Sequence, residues 1–401
     1  MTPRSLSIRI PGHWEDGWLY RDHLVLWTTA GEICSVPIPD IADMVERSYG
    51  EHLAVLSEQL VLRSERKFSR EYRQMMSLPG VADAVLKPLQ DGSPTLIAPG
   101  LKFRRADLDE AVPGNVVDVA VYGNRIFTAT DEGLFEAQYN PNFPLSRSPL
   151  LNVIEAETTS VVAGSGIVAV SADGEGLLSR DIEFGDADEW WRSAGNNSPI
   201  TRVADYSRGV SRSYEHLLNY AESGELAFIR ADSEYETRGT FREKVVRGYR
   251  PAVNISENVV KVVEESARRS NSPNVQFDWD SEVRVRGNAN YRLLVETPVG
   301  PQVVDVRAFR GKAVEFALDG KFDFDPQLSD VVSRAVTVGA LHSGFLIESL
   351  ENVSVLGENG SFVLIDEPRV QVRTFPNSKR YDDTVLAVAD DFVEIIGFTG
   401  V

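Results

Sequence analysis

The 401-residue chain sets 41 Lys and Arg against 60 Asp and Glu, a formal charge of −19. That balance disfavours broad nucleic-acid binding, which depends on neutralising phosphates with basic side chains. A hydrophobic share of 42 % is that of a globular protein, and the single Cys34 excludes both an intramolecular disulfide and a multi-thiolate zinc site. No run approaches the ~18 consecutive apolar residues of a membrane span. The opening MTPRSLSIRIPGHWEDG lacks an apolar signal-peptide core, so a cytoplasmic location without membrane contact is expected.

Residues 5–10, SLSIRI, alternate and predict a strand, which is expected to pair with the C-terminal run Phe392–Phe398. A hairpin follows around Gly31 and ends at Pro37 and Pro39. Alternation then gives way to helical spacing: Leu53, Leu56, Leu60, Phe68, Tyr72 and Met76 recur on one face, with a stop before Pro79-Gly80. This predicts a helical insertion over 41–78. Arg63, Arg66, Lys67, Arg70 and Arg73 crowd its other side, and spacings of three and four place the first four on one face. Thr95–Ile97 and Leu101–Phe103 read as further strands.

The stretch 117–139, VDVAVYGNRIFTATDEGLFEAQY, is two strands around an Asp-Glu-Gly turn. It returns at 161–178 with Gly164 in place of Gly123 and Gly176 in place of Gly133, and weaker copies stand near Gly31, Gly224, Gly300, Asn352 and residues 383–396. A period of about 40–50 residues carrying about four short strands is that of a β-propeller. A two-sheet sandwich or two separate β domains are the alternatives. Within the repeat, FTATDEGLF (127–135) resembles the blade motif of two-component-regulator-type propellers. Ser171–Gly176 is similar to the Asp-box turn of sialidase-type propellers, with its glycine one place late and in one copy. The Trp-Asp blade ends of WD40 repeats and the Gly-Gly doublets of kelch repeats are missing. The expected fold class is all-β: one seven-bladed propeller domain over 1–401 with α-helical insertions between blades. The second insertion is expected at 254–270, where Asn254 and Glu257 fit a capping box ahead of Val259, Val260 and Val263. A third short helix is expected from Asp325-Pro326 to about Val336.

No nucleophile elbow, P-loop, dinucleotide fingerprint or zincin motif is present. The five histidines are scattered, and His23 and His216 hold similar places in their hairpins, which suggests structural roles. Asp186 and Asp188 alternate as Ca²⁺ ligands do, but the loop lacks the further oxygens and the placed glycine, so no metal and no cofactor are expected. The function read from this is a non-catalytic protein-interaction or scaffold module. Its protein partner would dock on the basic face (Arg63, Arg66, Lys67, Arg70, Arg73), on the pair Trp190-Trp191 and on inter-blade loops. The alternative is a propeller enzyme or a sensor of a small sugar-like ligand in the central channel, with Asn124 and Arg125 as channel-facing candidates.

Overall fold

The computed structural model describes residues 4–63, 92–106, 108, 110–139, 149–172, 174–182, 199–213, 216–221, 226–238, 241–250, 253–269, 283–289, 291–298, 300–308, 314–322, 324, 328–358, 360–367, 369, 371–378 and 380–399, with 78, 80, 81, 86, 87 and 89. Their strands pair into seven separate sheets of four or five strands. The sheets begin with Trp14–Tyr20, Val116–Tyr122, Thr158–Gly164, Gly209–Ser213, Arg284–Ala289, Thr337–Ala340 and Gln371–Thr374. These seven first strands touch one another in sequence, and the last returns to the first. The molecule is a seven-bladed β-propeller. We number the blades 1 to 7 in that order, with strands running outward from the axis.

A lone blade cannot bury both of its faces, so the core forms between blades. Seven apolar clusters result, one for each junction. Between blades 1 and 2, for example, Val25 and Trp27 pack on Val119, Ile126 and Phe135. The second strands lie deepest: every residue of Arg125–Thr130 and of Ile167–Ala172 is buried. Trp27 fits this setting because its indole N–H finds the Thr128 hydroxyl at 3.0 Å. His23 and His216 both open second strands and are buried, the latter stacked on Phe228.

Blade 7 joins the chain ends. Arg4–Pro11 pairs antiparallel with Phe392–Thr399, from Arg4 opposite Thr399 to Pro11 opposite Phe392, as the alternating pattern predicts. Thr95–Ile97 then adds in parallel to Ser7–Arg9. On this sheet Arg9 and Arg369 both lie over the Phe392 ring, and both pair with the buried Glu394.

Three helices matter for the surface. Helix α1 (Ile38–Tyr49) takes Pro39 in its first turn, and Gly50, at φ 85°, separates it from α2 (Glu51–Ser57). Glu58–Leu62 continues as a π-helical turn, and Arg63 ends it in the left-handed region at φ 43°. Ile41, Val45, Leu56 and Val61 from this segment pack on Leu6, Ile8 and Ile395 of the closing sheet. The segment lies between the third and fourth strands of blade 1, because Arg104–Arg105 pairs back onto Cys34–Ser35. The strand expected at Leu101–Phe103 is therefore displaced to Arg104–Arg105, and Leu101 and Phe103 pack against the core instead. Helix α3 (Ser256–Arg269) lays Val259 and Val263 between blades 4 and 5. Asn254, expected to cap it, instead pairs as a strand residue opposite Ala227. A short helix at Ser329–Ser333 falls within the third expected helical region, whose residues 325–327 lie outside the described set. No helix among the described residues is long and apolar enough to cross a membrane.

Candidate functional site: a polar hub at the axis

The inner strands of blades 1 to 3 repeat one local design. Each shows a register shift near its start, between Trp14 and Asp16, Val116 and Asp118, and Thr158 and Ser160. Each ends in a two-residue turn with both residues at positive φ: Arg21-Asp22, Gly123-Asn124 and Ser165-Gly166. Such turns match the twist of the strands they join, and bulges re-aim the side chain beside them. The outcome is that Asp16, Asp118 and Ser160 occupy one equivalent position close to the axis.

Arg373, on the inner strand of blade 7, meets two of them. Its Nε donates to Asp16 Oδ1 at 2.5 Å and its Nη2 to Asp16 Oδ2, while Nη1 lies 2.7 Å from Asp118 Oδ1. Trp18 lies under the guanidinium, 5.6 Å from ring centre to Cζ. The carboxylates are held further by the backbone: Asp16 Oδ1 accepts from Gly17 N, Asp118 Oδ1 from Val119 N, and Asp118 Oδ2 from Val161 N of blade 3. Burial opposes the charge on Arg373, but the two carboxylates outweigh it and hold the guanidinium more firmly cationic than usual. The linkage continues around the ring. Val210 N donates to Ser160 Oγ at 2.9 Å, and both Ser211 Oγ and Tyr220 OH donate to Asn288 Oδ1. Burial pushes the Tyr220 phenol up to about 12, which keeps it a donor.

A second belt joins the turns between first and second strands. Arg380 reaches Asp22 at 2.8 Å, Arg21 reaches Asn124 Oδ1 at 2.7 Å, and Arg212 reaches Ala163 O and Ser165 Oγ. Arg292 donates to His342 O at 3.0 Å, and Ser343 donates to Asp383 Oδ1 at 2.8 Å.

Of the residues singled out from sequence, Asn124 sits in this belt, with its backbone N–H on Tyr20 OH at 3.0 Å. Arg125 opens the second strand of blade 2, is 3 % exposed and is ion-paired to Glu136 on the third strand, so its charge is spent inside the blade. Arg63 turns onto blade 7, donating to Arg380 O at 2.7 Å and pairing with Asp382 at 2.9 Å. Arg66, Lys67, Arg70, Arg73, Trp190 and Trp191 lie outside the described residues. Sequence reasoning passed over Asp16, Asp118 and Arg373. A signal for the first two exists: Asp16 and Tyr20 repeat as Asp118 and Tyr122 at the same spacing. Among the described residues no three His, Cys, Asp or Glu side chains gather as a metal site.

No known protein family and no curated protein matches the chain. Among solved structures it is similar to the β-propeller domain of Cps50 (Swd1) from Myceliophteria thermophila, at 10 % identity over 97 % of both chains with a TM-score of 0.48. It is also similar to the N-terminal domain of Nup159, at 10 % identity over 97 % of this chain and 90 % of that one, TM-score 0.44. A putative 6-phosphogluconolactonase from Bacteroides uniformis is similar at 9 % identity over 72 % and 81 %, TM-score 0.36.

Proposed function

We propose that this propeller is a non-catalytic protein-interaction module, a rigid cytoplasmic scaffold on which a protein partner docks. The observation that supports the reading is the use made of the hub. An acid–base catalyst needs a carboxyl group free to exchange a proton with its substrate. Both oxygens of Asp118 are taken by Arg373 and by two backbone N–H groups, and Arg373 spends its remaining contacts on Asp16. The charged groups nearest the axis thus join blades 7, 1, 2 and 3, and the rival reading of a channel enzyme or ligand sensor draws no free group from them.

Docking is assigned to the periphery. The basic segment with Arg66, Lys67, Arg70 and Arg73, the Trp190-Trp191 pair and the inter-blade loops carry it in this reading. The helical segments at 41–78 and 254–270 act as the surface-bearing insertions. Exposed apolar side chains on loops, such as Tyr206 and Leu350, fit the same role.

The test is affinity capture of the tagged protein from its native lysate at moderate and high salt, beside a variant with Arg66, Lys67 and Arg70 changed to Glu. Arg63 is kept because it pairs with Asp382. A protein partner lost only in the variant is the expected result. Identical captures from both proteins would remove the basic segment from the reading. A sugar-like ligand that raises the melting temperature while no protein is captured would replace it with the rival.

A further inference from the structure

We infer that the two-stranded ribbon standing off blade 4 is a strand-addition site for an extended, acidic segment of a partner protein; this rests on the interaction-module reading and names its partner's chemistry. The third strand of blade 4, Leu226–Arg238, does two jobs. Its first part, Leu226–Arg230, pairs with His216–Tyr220 inside the blade. Ala227 and Phe228 pair on their other side with Asn254 and Val253, so the blade has its outer strand without the ribbon. From Ala231 the strand leaves the blade and pairs only with Phe241–Tyr249, from Ala231 opposite Tyr249 to Arg238 opposite Phe241. At ~3.3 Å per residue this is a ribbon about 25 Å long.

The base of the ribbon is fixed. Val246 and Tyr249 pack on the cluster between blades 3 and 4, and the Tyr249 hydroxyl contacts Ser179 Oγ of blade 3. Arg250 holds Asp232 at 2.8 Å and donates its backbone N–H to Arg230 O at 2.9 Å. A register shift between Asp232 and Ser233 stands where the ribbon departs. Beyond it Glu234, Tyr235 and Thr237 are exposed, Tyr235 at 60 %.

Two facts select the occupant. First, Phe241–Tyr249 is the last strand of its sheet, and no strand among the described residues pairs with its outer edge. Such an edge presents a row of backbone donors and acceptors to any extended chain, and an isolated two-stranded ribbon gains most from a third strand. Second, the sequence of the edge strand itself, FREKVVRGY, has three basic residues against one acid, on a chain whose formal charge is −19. A second copy adding edge to edge would set like charges opposite each other, which is unfavourable. An acidic extended segment is attracted at this edge while the chain's net negative charge disfavours its approach elsewhere, so the ribbon is also where it is steered.

The test uses the full chain and three fluorescein-labelled peptides about ten residues long: one alternating Glu with Val, one alternating Lys with Val, and the Glu peptide with two Pro that remove backbone donors. Anisotropy reads affinity, and amide exchange reads protection along residues 241–249. A second protein replaces 234–245 by an Asn-Gly turn, closing the hairpin at the Ser233–Val246 pair and keeping Val246 on its cluster. The Glu peptide is expected to bind in a salt-sensitive way and to slow exchange along the ribbon. The Lys and Pro peptides should bind at least about tenfold more weakly, and the shortened protein should keep its melting temperature and lose the Glu peptide. No slowing of exchange in the intact protein would overturn the inference even if the shortened one fails to fold. So would equal binding of the Pro peptide, or full binding by the shortened protein. A lysate partner captured equally by intact and shortened proteins would leave the interaction-module reading standing and remove the ribbon from it.

Discussion

Arg373 and Asp16 stand 357 positions apart and meet in a buried two-pronged pair, Nε to Oδ1 at 2.5 Å and Nη2 to Oδ2. The pair joins blade 7 to blade 1 on the inside of the ring, while the pairing of Arg4–Pro11 with Phe392–Thr399 joins the chain ends within blade 7 itself. Desolvating two ions is costly, and a buried pair adds little net stability over an apolar replacement. What it does supply is register: the fork of Arg373 fits only when three inner strands are level, since Nη1 must also reach Asp118.

Changing Arg373 to Met leaves the buried Asp16 and the half-buried Asp118 without their cation. Urea unfolding should show a loss of about 3–5 kcal/mol. Adding Asp16→Asn should return part of that loss, because the two changes touch one pair and are not additive. A single-variant loss below about 1 kcal/mol would mean that the hub does not hold the ring.

The sequence made the blades legible where turns recur at fixed spacing, as around Gly133 and Gly176, and where apolar alternation marked both terminal strands. It also contained the hub acids, as the repeated Asp16…Tyr20 and Asp118…Tyr122. Arg373 has no such repeat: its meaning comes from a junction between the two ends of the chain, which local pattern does not encode. Arg125 drew notice as a charged residue at a loop, yet it begins a strand, and Glu136 lies across the next pairing. Periodicity counted apolar positions through Arg63 but carried no trace of the left-handed residue that ends the helical run there. The ribbon of blade 4 has no counterpart in the sequence pattern, because alternation alone does not say whether a strand stays within its sheet.

Asn124 separates a structural from a ligand-binding role. Its φ of 60° suits glycine, so Asn124→Gly keeps the turn and deletes only the side-chain acceptor of Arg21 and Tyr20. A loss of about 1 kcal/mol in thermal or urea unfolding is expected. Asn124→Val should cost clearly more, since a β-branched residue is strained at positive φ. Equal effects of the two would show that the turn geometry is not what fixes the residue.

Gly397 reports on the seat of the π-helical turn. A Cβ there would stand 2.0 Å from the carbonyl oxygen of Leu60, a backbone atom that cannot rotate away. Gly397→Ala should therefore cost about 1–3 kcal/mol, as overpacking does. Amide exchange at residues 58–63 should quicken more than in the other blades. Unchanged exchange there would mean that the segment is not seated on the closing strand.

Glu348 gives a dependence on pH. It ends the second strand of blade 6 half-buried, and burial raises its carboxyl above the ordinary value. The native state thus holds this proton more tightly than the unfolded chain, so this group's contribution to stability falls as pH rises through the native pKa. Below the unfolded value both states are protonated and the burden is absent; above the native value the buried charge is carried in full. Glu348→Gln should therefore raise the urea midpoint at about pH 7.5 and leave it nearly unchanged at about pH 3.5. An equal gain at both values would show that packing, and not the ionised carboxylate, limits stability at this strand end.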